Sequence, residues 1–181
     1  MKLTYDDFVL FPDDGKRHEL IDGEHYVTAS PNVRHQQISM DLAFLIRSWL
    51  EEHPVGRLFH APLDVLMSQF DVGEPDLIYL SNERAAEIMT TLHLRGAPEL
   101  VAEIGSPSTR QRDETIKRHL YERKGVSEYW FVDPELGVVR VYRRDGEQFT
   151  RPLELSREAG DALTTPLLAG LALPLDRIFR D

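Results

Sequence analysis

Apolar residues recur along the chain with two different periods, and the switches between them mark out the elements. Ile38, Leu42, Leu45, Ile46 and Trp49 return at helical spacing, which predicts a helix over residues 31–52, with Pro31 tolerated in its first turn. Before it, residues 17–21 and 24–29 read as two strands about the turn Asp22-Gly23. Thr4 is placed to cap a short helix running to Leu10, and residues 11–15 read as a turn. Short apolar runs predict strands at 58–60 and 63–67, interrupted near Pro62, and at 76–80, entered from Pro75. Residues 82–90 read as a helical excursion.

Residues 99–104 form the next expected strand, ended by Gly105-Ser106-Pro107. Ser108 with Gln111 matches a capping box, so a helix is expected over 109–124, stopped at Gly125. Strands follow at 128–132 and 138–143. The turn 143–146 leads into a further strand reaching about Pro152, and short elements complete the chain. Strands and helices are thus intermixed. The prediction is an α/β domain with a mixed β-sheet flanked by helices, an N-terminal hairpin and C-terminal antiparallel strands. The unit 99–104, helix, 128–132 is a parallel crossover, expected to be right-handed.

Composition adds limits. The chain has 181 residues, 41% hydrophobic and 29% charged, which suits one soluble globular domain spanning 1–181. It has no cysteine, which excludes disulfides and thiolate metal sites. The first seven residues lack the apolar stretch of a signal peptide, and no apolar run is long enough to cross a bilayer. A cytoplasmic location and no membrane partner are expected.

The net charge of −10 counts against tight unspecific binding to nucleic acid. Its distribution softens that. Residues 1–30 hold three basic and seven acidic side chains, whereas residues 110–124 hold six basic and three acidic ones.

Candidate chemistry gathers around two acids. Asp76 opens a strand directly after Pro75, and Glu103 lies near the end of another. Alternation puts Leu100, Ala102 and Ile104 on one face, and Glu99, Val101 and Glu103 on the other, with Glu103 at the edge of that face. An unpaired carboxylate among aliphatic residues is costly, so such positions are informative. Two carboxylates on adjacent strands could hold Mg²⁺, which takes oxygen ligands and keeps several waters. Equally, strand-end acids cap loops or pair with arginines, and Asp113 with Lys117 could be an ordinary surface pair four residues apart.

The residues that carry these acids also carry a resemblance. Pro75-Asp76, the run Pro98-Glu99-Leu100-Val101-Ala102-Glu103-Ile104-Gly105-Ser106-Pro107-Ser108-Thr109, then Asp113, Lys117 and Tyr121, and Gly125-Val126-Ser127-Glu128-Tyr129-Trp130-Phe131-Val132-Asp133-Pro134 together look like the Uma-type family of putative restriction endonucleases. That family belongs to the PD-(D/E)XK nuclease superfamily. Glu19-Leu20-Ile21-Asp22-Gly23-Glu24 and His35 resemble its N-terminal part, so the likeness covers roughly residues 5–145.

It implies a restriction-endonuclease-like core and Mg²⁺-dependent (or Mn²⁺-dependent) cleavage of nucleic acid, with DNA favoured. By the resemblance, Asp76 and Glu103 are metal ligands and, with Lys117, catalytic residues. The chain departs from the superfamily's plain pattern, which has lysine two residues after the second acid. Here that position is Gly105, and Lys117 on the following helix takes the role.

Four residues stand in a second rank. His35 shares the apolar face of the first long helix and could approach the acids as ligand or base, or simply be a hydrogen-bonded residue at a helix start. Glu19 is a possible third acid, although hairpin acids are usually solvated. Arg110 and Arg112 open a helix near the strand ends and are candidate phosphate contacts. Arg123 and Lys124 fit the helix dipole instead. The alternative reading keeps the fold without catalysis, as a nucleic-acid-binding protein or a homodimer. Such a dimer would join through an exposed strand or the leucine- and alanine-rich segment 162–175.

Overall fold

The computed structural model describes residues 2–180; Met1 and Asp181 lie outside the described residues. A short helix, α1 (Tyr5–Phe8), is held by a capping box between Thr4 and Asp7. The hairpin β1 (Arg17–Ile21) and β2 (Glu24–Thr28) pairs in the register set by the two-residue turn, where Asp22 and Gly23 both take positive φ as a type I′ turn requires. Helix α2 (Val33–Glu52) starts two residues later than the pattern predicts. The reason is its cap: Asn32 Oδ1 accepts from the His35 N–H at 2.9 Å, leaving Pro31 outside.

β3 (Gly56–His60) and β4 (Val65–Ser68) follow, then β5 (Asp71–Gly73), β6 (Leu77–Ser81), α3 (Asn82–Ile88) and β7 (Leu94–Arg95). After β8 (Leu100–Ile104) comes a helical segment in three parts: α4 (Arg110–Arg112), a π turn (Asp113–Lys117) and α5 (Arg118–Lys124). Gly125 ends it in the left-handed conformation. The expected cap by Ser108 and Gln111 is replaced by a reciprocal pair two residues earlier. The Ser106 N–H donates to Thr109 Oγ1 and the Thr109 N–H to Ser106 Oγ, each at 3.2 Å. Strands β9 (Glu128–Asp133), β10 (Val138–Asp145), β11 (Gln148–Phe149) and β12 (Leu153–Ser156) come next, then β13 (Ala162–Leu163), β14 (Leu173–Pro174) and α6 (Leu175–Ile178).

The strands form two main sheets. The larger runs β11-β10-β9-β8-β6-β3, with β12 also on β10; the smaller runs β2-β1-β5-β4-β7. β8 and β9 pair parallel across the helical crossover, while β6 pairs antiparallel with β8. This is the mixed sheet flanked by helices that the pattern predicts.

The face of β8 carrying Leu100, Ala102 and Ile104 packs against Ile38, Leu42, Leu45 and Ile46 of α2. The opposite face, with Val101, Tyr129 and Phe131, packs against Leu120 and Tyr121 of α5. The leucines of segment 162–175 are not an outer interface. Leu163, Leu168, Leu171, Leu173 and Leu175 are buried in the chain's own α2-side core, so their apolar contact is intramolecular. Among the described residues no helix is long and apolar enough to cross a membrane.

Candidate active site

Four elements converge on the α5 side of the central sheet: β6, β8, β1 and the π turn. Leu77 of β6 is opposite Ala102 of β8, and Asp76 directly precedes Leu77. Glu19 arrives from β1, and Lys117 from the end of the π turn. Lys117 and Glu103 are each 2% exposed; Glu103 therefore lies in the interior, not at the edge of its face. Lys117 Nζ is 2.9 Å from Glu19 Oε1, 3.0 Å from Glu103 Oε1 and 3.8 Å from Asp113 Oδ1. The Asp113–Lys117 pair, which spacing alone leaves readable as a surface contact, is thus part of this buried cluster. Tyr121 O–H also donates to Glu103 Oε1. A π turn carrying Asp113 and Lys117 fits the tendency of such turns to occur at functional sites.

Asp76 has both oxygens engaged. Oδ1 accepts from Arg17 Nη1 at 2.7 Å. Oδ2 accepts from the Ile104 N–H at 2.8 Å and pairs with His35 Nε2 at 3.0 Å. Burial opposes its charge, but the His35 bond, Arg17 and the Ile104 N–H outweigh that and hold its pKa down to about 2. Asp76 Oδ2 accepts from His35 Nε2, and the other ring nitrogen of His35, Nδ1, is buried without a hydrogen-bond partner.

Glu103 behaves in the opposite way. Burial, reinforced by Asp76, Asp113 and Glu19, outweighs Lys117 and raises it to about 8. Asp113 is raised to about 6 by burial, with Glu19 adding to it. Lys117 is pushed above its ordinary value, because Glu103, Glu19 and Asp113 outweigh its burial; it stays an ammonium.

Gly105 explains why the lysine comes from the helix. A Cβ there would lie 2.8 Å from Phe131 Cζ, closer than packed carbons approach, so an in-line lysine would have to displace the buried Phe131 ring.

Two adjoining clefts, of about 400 and 190 Å³, share Arg17, Pro31 and His35. Asp76 and Glu74 line the larger one. Thr28, Ser106, Ser108 and Thr109 offer hydroxyls to the smaller one.

Of the second-rank residues, His35 and Glu19 are in the cluster, and Arg112 lies at its border, with Nη2 3.7 Å from Glu19 Oε2. Arg110 is not brought there: it pairs with Asp133 at 2.7 Å and with Glu114 at 3.4 Å. Arg17 was not foreseen. Its signal was the strand period, since Arg17 and Glu19 are two apart on β1 and share a face.

The donors suit a hard divalent cation. Glu19, Asp76, Glu103 and Asp113 crowd one region, as their mutual effect on Glu103 shows, and Asp113 Oδ1 has no hydrogen-bond partner. Among the described residues no three His, Cys, Asp or Glu groups converge as a ready cage. Mg²⁺ does not need one, because it is commonly held by one or two carboxylates with waters completing the shell.

A family model described as Uma2, "Putative restriction endonuclease", matches residues 5–176. The crystal structure of a putative nuclease belonging to DUF820 from Anabaena variabilis is similar over 98% of this chain and 97% of that one, with a TM-score of 0.82 and 21% identity. At that identity the likeness establishes a shared fold. No curated protein matches.

Proposed function

The chain belongs to the Uma2 family of putative restriction endonucleases, and on that premise we propose that it is a divalent-metal-dependent endonuclease that hydrolyses phosphodiester bonds of DNA. The observation that carries this reading is the reach of Lys117 Nζ, from the helix after β8, to Glu103 at 3.0 Å, beside Asp76, which directly precedes β6, the strand paired with β8.

Asp76 and Glu103 are the residues that would hold Mg²⁺ or Mn²⁺. When bound, the ion polarises a phosphoryl oxygen and acidifies a water. Lys117 acts as a fixed cation. An ammonium whose pKa is raised further by three carboxylates does not accept a proton, so its contribution is hydrogen-bond donation and stabilisation of the negative charge that develops on the phosphoryl oxygens. Glu19 orients Lys117 from the opposite side. His35 fixes Asp76 through Nε2, and its ring lines both clefts, which places it as an accessory group beside the substrate. Arg112, the hydroxyls of Thr28, Ser106 and Ser108 and the start of α2 suit contact with backbone phosphates.

The test is cleavage of plasmid DNA and of an RNA of matched length with Mg²⁺ or Mn²⁺. Wild type is expected to cut DNA, and Asp76→Ala and Lys117→Ala to lose about a hundredfold or more of the rate. Variants that cut as fast as wild type would refute the site, and preference for RNA would refute the substrate.

A further inference from the structure

Both carboxylate oxygens of Asp76 are already hydrogen-bonded. Of the groups holding it, the Ile104 N–H is fixed by the sheet, and His35 is anchored in the first turn of α2 by its own N–H bond to Asn32. Arg17 differs. It is the first residue of β1, 19% of its side chain remains in solvent, and its other hydrogen bond goes to the Glu74 carbonyl at 3.3 Å. Its side chain borders both clefts. A guanidinium fork matches a carboxylate and a phosphate equally well.

The smaller cleft offers a phosphate a landing place next to that fork. No acidic residue lines it. The N-terminus of the 20-residue helix α2 opens beside it, the hydroxyls of Thr28, Ser106, Ser108 and Thr109 surround it, and His35, buried with Nδ1 unpartnered, stands in its wall. We propose that Arg17 is an exchangeable counter-ion, bonded to Asp76 while no nucleic acid is bound and passed to a substrate phosphate on binding, which frees Asp76 Oδ1 for the divalent cation. This rests on the metal-nuclease reading above and gives that site its regulation. Substrate and metal bind cooperatively, and the coupling runs through one side chain. Linkage makes the coupling reciprocal: nucleic acid tightens metal binding by the same factor by which metal tightens nucleic-acid binding.

The experiment is Mn²⁺ binding followed by electron paramagnetic resonance on wild type, Arg17→Gln, Arg17→Lys and Asp76→Asn, with and without a phosphorothioate DNA duplex that resists cleavage. Without DNA, Arg17→Gln is expected to bind Mn²⁺ about tenfold tighter than wild type, because the competitor on Asp76 is gone. DNA is expected to tighten binding about tenfold in wild type and less than about twofold in Arg17→Gln, within the usual range of allosteric coupling. Arg17→Lys keeps a charge without the fork and should fall between the two, which keeps the test alive if Arg17→Gln does not fold. Tighter metal binding on removal follows from the lost positive charge alone; what a merely structural arginine would not produce is the loss of the coupling to DNA.

Equal or weaker Mn²⁺ binding in the Arg17 variants, or full coupling without Arg17, overturns the exchange. If Asp76→Asn still abolishes Mn²⁺ binding in that case, the metal-nuclease reading stands. Mn²⁺ binding absent from wild type, or unaffected by Asp76→Asn, overturns that reading and the exchange with it.

Discussion

Two of the places where the chain buries carboxylates treat them differently. Asp71 on β5 is 2% exposed, yet everything around it favours its charge. It accepts from the Asp22 N–H at 2.9 Å and Ser68 Oγ at 2.6 Å, and pairs with Arg123 at 2.8 Å and Lys124 at 2.7 Å. These contacts overcome its burial and lower its pKa. One acid has two cations, and together they tie the end of α5 to the smaller sheet. Around Glu103 the ratio is reversed: Glu19, Glu103 and Asp113 share Lys117, and Glu103 is left raised to about 8. Burial is therefore not what separates a structural acid from a candidate catalytic one. The distinction lies in whether the fold has completed its neutralisation.

Removing the shared cation should break this contrast most forcefully. Lys117→Met leaves three buried carboxylates without their counter-ion, and breaking a buried pair in this way costs about 3–5 kcal/mol. The loss is expected near pH 8 and should shrink toward pH 5, where the carboxyls can take up protons instead. Urea unfolding at the two pH values measures it; an unchanged midpoint at pH 8 would mean that Lys117 does not neutralise the cluster.

Asp71→Asn is the matching test on the other site. It loses two ion pairs, but Arg123 is half exposed and its pair is correspondingly screened, so the expected destabilisation is about 2 kcal/mol. Cleavage by the folded protein should be unchanged. Loss of cleavage without loss of fold would show that Asp71 serves more than the structure.

The periodic parts of this arrangement were legible in the sequence. The stripe from Ile38 to Trp49 defines α2, and alternation in residues 99–104 puts Glu103 on the face opposite α2, where it lies. β5 and β7, of three and two residues, were missed because their pairing comes from neighbouring strands and no local period exists over so short a run. The π turn within the helical segment leaves no trace in apolar spacing. Arg110 reads as a phosphate contact until Asp133, 23 residues on by number, is found beside it.

Lys117 rested on resemblance, and its structural reason, the closeness of Phe131 to Gly105, involves a neighbouring strand. Arg17 was missed because an arginine at a strand end reads as solvated, while its partner Asp76 is 59 residues away. What the sequence hides here is long-range pairing of charges.

Glu103 itself gives the finest test of the contrast. Its pKa is raised by burial and by Asp76, Asp113 and Glu19, from an ordinary 4.5 to about 8. Below pH 4.5 the carboxyl is protonated in both the folded and unfolded chain and contributes nothing to the pH dependence. Between 4.5 and about 8 the folded chain keeps a proton that the unfolded chain has released, so stability falls as pH rises through that window. Above 8 the loss is complete.

Glu103→Gln has no such dependence and can still accept from Tyr121 and Lys117. The two proteins should melt at similar temperatures near pH 5, with the variant about 3 °C or more ahead near pH 9. Asp113 at about 6 and Glu74 at about 7 titrate in the same direction, but both proteins retain them and they largely cancel in the difference. Asp76, held down at about 2, loses its contribution only as pH falls toward that value, outside the window. A difference in melting temperature that does not change with pH would mean that Glu103 is as fully neutralised as Asp71, and the two sites would no longer differ in kind.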